Sequence, residues 1–186
     1  KVTAVDNLQD YVSEVNAKAA EENLPVKAIC SNALDFEFND MYDAVICMGN
    51  SFAFFNQDDS VSLLKKIEAH LQNRGFFIVN SWMVAEIILK HFQGQTWHYA
   101  GDYKCVLEYR YLINPSRIES KQTIISPDGT IEMLNGIDYV FTFDQLESMF
   151  AQAGLTTIKI YSTPRKKEFV LGDLSSYIVI GRAPKL

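Results

Sequence analysis

Apolar and polar positions alternate along this chain between two spacings. Val2 to Val5 form a short apolar run closed by Asp6, after which Leu8, Tyr11, Val12, Val15 and Ala19 recur at helical spacing, with Asn7 a candidate N-cap and Pro25 beyond the end. Val26 to Cys30 repeats the strand pattern and runs into Ser31-Asn32-Ala33-Leu34, and a polar stretch from Asp35 to Met41 follows. Residues 42–52, Tyr-Asp-Ala-Val-Ile-Cys-Met-Gly-Asn-Ser-Phe, then read as a buried strand that breaks at its carboxyl end into Gly49-Asn50-Ser51. Val61, Leu64, Ile67 and Leu71 predict an amphipathic helix capped near Asp59 or Ser60 and stopped at Gly75, and Phe76 to Val79 predicts the next buried strand.

Short apolar strands alternating with amphipathic helices predict an α/β fold with a mostly parallel sheet, because each parallel crossover needs a helix. After a helix near Met83 to Phe92 the pattern changes. Tyr103 to Ile113, Arg117 to Ser126 and Thr130 to Val140 alternate like half-exposed strands, and Ser126-Pro127-Asp128-Gly129 supplies the last turn. We expect a three-stranded antiparallel insert within residues 97–140. Thr142 and Gln145 match a capping box that starts a helix carrying Leu146, Met149 and Phe150 and ending at Gly154. Thr156 to Ser162 and Ser176 to Gly181, joined by a loop without a crossover helix, predict an antiparallel closing pair.

With 186 residues and 48% apolar content the chain suffices for one domain over residues 1–186. No apolar run approaches bilayer length and no signal-peptide pattern is present, so no membrane association is expected. Seventeen basic against 23 acidic residues, a formal charge of -6, oppose nucleic-acid binding. The basic run Arg165-Lys166-Lys167 reads as a solvated loop. Cys30, Cys47 and Cys105 are odd in number, widely spaced and set among apolar residues, which predicts buried thiols in a reducing, cytoplasmic compartment rather than disulfides or a metal site.

In open α/β sheets ligands bind outside the carboxyl ends of the strands. Asp6, Asn32 and Gly49 end consecutive predicted strands and are expected to line one edge of one sheet. Asp6 stands where nucleotide-binding folds place an acid for ribose hydroxyls, although a helix cap reads the same way. Asn32, followed by Ala33, can bond a purine edge or simply form a turn. Gly49 permits close backbone approach, while Asn50 and Ser51 can orient a polar acceptor.

As an ordered set these motifs resemble the class I S-adenosylmethionine-dependent methyltransferases. The Met-Gly-Asn-Ser-Phe run and the insert look most like the small-molecule N- or O-methyltransferases of the glycine N-methyltransferase and sugar-amine type. The resemblance implies a Rossmann-like sheet with S-adenosyl-L-methionine as cofactor, held by Asp6, Asn7, Asn32, Ala33, Met48 and Gly49. It implies a small-molecule acceptor met by Asn50, Phe55 and Trp82, and an insert that serves as a substrate lid. His98 and Tyr99 are the candidates to assist proton removal, against a packing or surface role for each. The family also has a glycine-rich loop after a first, central strand, and no Gly-x-Gly-x-Gly occurs in this sequence. The chain opens at Lys1 already inside a strand, so that element is expected from preceding residues, another chain or a changed topology. Two other classes fit part of the pattern: a non-catalytic scaffold of the same fold, including a homodimerising one, and a nicotinamide-dependent oxidoreductase. The antiparallel closing pair argues against the latter.

Overall fold

A computed structural model describes residues 1–183, which divide into two compact units, Lys1–Met41 and Tyr42 onward. The first is a single βαβ unit. Strand β1 (Val2–Asp6) pairs in parallel with β2 (Val26–Cys30), from Val2 opposite Val26 to Asp6 opposite Cys30, and helix α1 (Gln9–Glu21) makes the crossover. The helix is fixed to the strand by one amide. Asn16 donates from Nδ2 to the Ala28 carbonyl (3.0 Å) and accepts the Ala28 N–H at Oδ1 (2.9 Å), so it completes the outer edge of β2.

Sequence and structure differ in detail here. Asn7 does not cap α1: Leu8 holds the N-cap position without a side-chain bond, and the Asp6 carboxylate accepts the Leu8 N–H at 2.8 Å. Of the expected apolar stripe only Val12 and Ala19 are buried, while Leu8, Tyr11 and Val15 are exposed.

In the second unit β3 (Tyr42–Cys47) leads through a 3₁₀ turn (Ser51–Phe54) and α2 (Gln57–His70) to β4 (Leu71–Ser81). After α3 (Ala85–His91) come β5 (Gln95–Ala100), β6 (Tyr103–Ile113), β7 (Ser116–Ile125) and β8 (Ile131–Tyr139). Helix α4 (Phe143–Gln152), β9 (Leu155–Tyr161) and β10 (Ser176–Arg182) complete it. The main sheet has the order β3-β4-β10-β9, with β3 and β4 parallel and β10 antiparallel to both of its neighbours. The second sheet is the meander β5-β6-β7-β8, antiparallel throughout.

The core of this unit lies where α2 and α4 meet the main sheet. Leu63, Leu64 and Ile67 of α2 are buried with Phe77 and Val79 of β4, Met149 and Phe150 of α4, and Ile178 and Ile180 of β10. Each such side chain contributes about 1.5–3 kcal/mol by leaving water. The Asn56 side chain accepts the Asp59 N–H to cap α2, one turn earlier than the sequence suggested. The expected capping box of Thr142 and Gln145 is present at α4.

Three further expectations change. Gly75 does not stop α2, which ends at His70 and passes directly into β4. Gly75 instead lies where the β3–β4 register shifts, and a Cβ there would stand 3.0 Å from the Tyr42 carbonyl oxygen. The insert has four strands rather than three, because β5 is an outer strand exposed at every residue and so lacks a strong burial signature. Hydrogen bonding divides the strands ending at Asp6 and at Cys47 between two sheets: among the described residues β1 bonds only to β2, and β3 only to β4.

The cysteines are all free, but only Cys105 is fully buried, and Cys30 at the open end of β2 is exposed. Burial pushes the Cys47 thiol up to about 11. The Arg165-Lys166-Lys167 loop is exposed, with Lys167 paired to Asp173 at 2.6 Å. No helix among the described residues is long and apolar enough to cross a membrane.

Candidate functional site

Because β3 and β4 run parallel, their carboxyl ends open at one edge of the main sheet. The chain leaves β3 through two consecutive residues in the left-handed region, Gly49 (φ 66) and Asn50 (φ 72). Asn tolerates that conformation better than most residues, and here it is also locked by its bonds. The Gly49 N–H donates to Asn80 Oδ1 (3.3 Å) and the Asn50 N–H to the Asn80 carbonyl (3.2 Å). Asn80 in turn donates to Ser175 Oγ (3.0 Å) and to the Ser176 carbonyl (3.1 Å). The end of β4 therefore holds the turn after β3.

The Asn50 side chain is almost wholly buried and its orientation is set by donors that cannot be exchanged. Its Oδ1 accepts the Ser81 hydroxyl (2.7 Å) and the Met83 N–H (3.1 Å). A backbone N–H only donates, so Nδ2 must face the other way. It donates to Asp138 Oδ1 at 3.4 Å, which links the turn to β8 of the antiparallel sheet. Burial raises the Asp138 carboxyl above its ordinary value. Tyr109 is raised as well, by burial first and then by the Asp138 charge. At Gly49 an added Cβ would meet nothing within 4 Å, so the backbone there faces open space.

In the first unit the ends of β1 and β2 lie side by side. The Ser31 N–H donates to the Asp6 carbonyl (2.9 Å), and Asn32 Oδ1 accepts the Leu34 N–H (2.9 Å). Asp6 spends one carboxylate oxygen on Leu8, and both Asp6 and Asn32 are exposed. This pair offers an acceptor for a diol and an amide for a heterocycle edge. The donor set thus fits a nucleoside.

Residues 1–75 match the family model described as a methyltransferase domain. Among solved structures, a S-adenosylmethionine-dependent methyltransferase from Clostridium acetobutylicum aligns with a TM-score of 0.84 at 15% identity, over 98% of this chain and 75% of that one. The CcbJ methyltransferase of Streptomyces caelestis aligns at 0.82 and 15% identity, over 98% and 74%. The sugar N-methyltransferase KedS8 from Streptoalloteichus aligns at 0.66 and 16%, over 98% and 71%. No curated protein matches. The chain has the fold of the class I S-adenosylmethionine-dependent methyltransferases.

Within this methyltransferase fold the sequence-derived candidates fall into separate groups. Asp6, Asn7, Asn32 and Ala33 belong to the first unit, and Met48, Gly49 and Asn50 form the turn of the second. Phe55 follows the 3₁₀ turn and packs edge-on against Phe52, with ring centroids 6.4 Å apart, while Trp82 sits 40% exposed just beyond β4. His98 and Tyr99 lie on β5, where adjacent residues point to opposite faces of the sheet. Tyr99 contacts Trp97 edge-on, and the Lys104 ammonium lies over the Trp97 ring.

Sequence reasoning missed Asn80, Ser81, Ser176 and Asp138. A separate concavity, an open channel of about 470 Å³, lies on the antiparallel sheet, lined by Glu108, Lys121, Arg110, Glu119, Asn135 and Ile137. The charged rows of this channel alternate with the row that carries Asp138, so they face the other side. Its charges are already paired, Arg110 with Glu119 at 2.6 Å and Lys121 with Glu108 at 3.9 Å, and the channel offers no unpaired chemistry comparable to the turn.

Proposed function

We propose that the chain carries out S-adenosylmethionine-dependent methyl transfer to a nitrogen or oxygen of a small molecule in the cytoplasm. The observation that carries this reading is the Gly49-Asn50 turn, held in left-handed backbone by Asn80 and Ser81 and open to space at Gly49. When bound, S-adenosylmethionine supplies an already activated methyl group. Asp6 and Asn7 would hold the ribose side, Asn32 and Ala33 the adenine, and the backbone at Met48 and Gly49 the amino-acid part. A charged hydrogen bond from a ribose hydroxyl to Asp6 contributes about 1.5–3 kcal/mol.

What remains for the protein is to hold the acceptor in line with the methyl group and keep water out, which accounts for up to about 7–11 kcal/mol of barrier in favourable cases. Phe55 and Trp82 are assigned to the acceptor side, and Asn50, whose buried side chain is engaged by Ser81, Met83 and Asp138, shapes that side through the turn rather than through a side-chain contact. The antiparallel sheet is assigned the role of a lid, with His98 and Tyr99 as rim residues.

Calorimetric titration of the full-length protein with S-adenosylhomocysteine tests the reading. Saturable binding, weakened about tenfold or more by Asp6→Ala, is expected. Absence of binding to the full-length protein would sink it.

A further inference from the structure

We propose that Asp138 is the catalytic residue that takes the acceptor's proton, with Asn50 as its positioning partner; the proposal rests on the methyl-transfer reading above. Asp138 is half-buried on β8, an outer strand of the antiparallel sheet, and its Oδ1 receives Asn50 Nδ2 at 3.4 Å. Asn50 adjoins Gly49, whose backbone faces open space. The carboxylate therefore stands one residue from the expected junction of cofactor and acceptor. Its second oxygen makes no hydrogen bond among the described residues.

On the same face of the sheet, three rows from Asp138, stand Glu132 of β8 and His98 of β5. In the row of Asp138 itself stand Ile118 of β7, which is buried, and Tyr111 of β6, whose hydroxyl is engaged with Ser116 at 2.6 Å. Gly136, Ser120 and Tyr109 form the next row on the same face. The 3₁₀ turn Ser51–Phe54, which packs on β8, brings no ionisable side chain. No cation among the described residues pairs with Asp138, and burial raises its carboxyl, which makes it a stronger base than a solvated aspartate.

This chemistry selects an amine. A half-buried carboxylate without a cation attracts an ammonium acceptor, and an ammonium must lose a proton before it can react. Asp138 takes one proton from the ammonium; the lone pair so freed bonds to the methyl carbon as the donor's sulfur–methyl bond breaks with its electron pair left on sulfur. The positive charge passes from sulfur to the methylated nitrogen. An alcohol is a weaker acid than an ammonium and carries no charge to attract it to the carboxylate, so it is the poorer acceptor at this site.

Asp138→Asn separates base from scaffold, since the Asn carbonyl can still accept from Asn50 Nδ2. The test uses the full-length protein with S-adenosylmethionine and a panel of primary amines, amino sugars and matched alcohols. Wild type should methylate amines in preference to alcohols, with a rate that falls on the acid side as Asp138 protonates. Asp138→Asn should lower kcat on the best amine about 100-fold or more and abolish that acid limb, with S-adenosylhomocysteine binding intact, and Asp138→Glu should restore part of the rate.

A second measurement needs no turnover. In protein labelled with ¹³C-carboxyl aspartate, the resonance absent from Asp138→Asn should titrate above the ordinary aspartate range. An active wild type with an unchanged Asp138→Asn pH profile, or a resonance titrating in the ordinary range, overturns the assignment. A wild type that neither binds S-adenosylhomocysteine nor transfers methyl refutes the parent reading instead, and the carboxyl titration alone then decides whether Asp138 is a tuned base.

Discussion

The turn after β3 and the turn after β1 occupy equivalent places at the ends of parallel strands, yet they are built in opposite ways. After β3, Asn50 is 4% exposed and, with Asn80, Ser81 and Ser176, forms a buried network that holds the backbone without a ligand. After β1, Asp6 makes a single short-range bond to Leu8, and Asn32 after β2 does the same to Leu34. A network that satisfies itself can pre-form a surface for chemistry. A turn that keeps donors and acceptors in water is suited to exchange them for a ligand's, at lower desolvation cost.

The largest effect should come from cutting the buried network at its hub. Asn80→Ala removes bonds to Gly49, Ser175 and Ser176 and leaves buried partners unsatisfied, so denaturant unfolding should show a loss of about 2–4 kcal/mol. Asn32→Ala should change stability by no more than about 0.5 kcal/mol while weakening S-adenosylhomocysteine binding. If the two substitutions cost the same stability, the contrast between the turns is wrong.

A smaller effect is expected at Gly49. Alanine meets no atom within 4 Å there, so only the left-handed backbone opposes it, at about 1–2 kcal/mol. Thermal unfolding should report that modest loss. Cofactor affinity should fall by more than stability implies, because the added methyl occupies the space the reading assigns to a ligand. Equal affinity in Gly49→Ala would mean that the open space at this turn is not used.

The same contrast explains what the sequence revealed. The βα alternation, the Thr142 and Gln145 capping box and the closing pair β9–β10 all follow from spacing within a few residues, and all are present. Gly49 and Asn50 were visible because a strand pattern breaks into residues that tolerate positive φ. Their partners were not. Ser81 lies 31 positions from Asn50 and Asp138 lies 88, and no local periodicity marks a carboxylate that becomes buried only when β8 packs on the 3₁₀ turn. Gly75 misled for a related reason: a side chain there would crowd the Tyr42 carbonyl across the sheet and the Gln72 backbone, each 3.0 Å from an added Cβ, and the glycine does not end the helix before it. Strand β5 escaped notice because neither of its faces is buried.

The smallest effect tests whether the buried turn carries a cost of its own. Burial raises the Asp138 carboxyl in the folded state above its unfolded value of about 3.9. Below that unfolded value the acid is neutral in both states, so its contribution to stability is fully present. As pH rises through the higher folded value, the folded chain must bury a charge, and that contribution is lost. Asp138→Asn carries no such charge and should melt a few degrees above wild type near pH 7, with the gap closing as pH is lowered towards 3. Thermal melts of both proteins across that range decide the point. A gap that is absent at neutral pH, or that widens towards acid, would mean that Asp138 is as well solvated as an exposed carboxylate, and the difference between the two turns would then lie in hydrogen bonding alone.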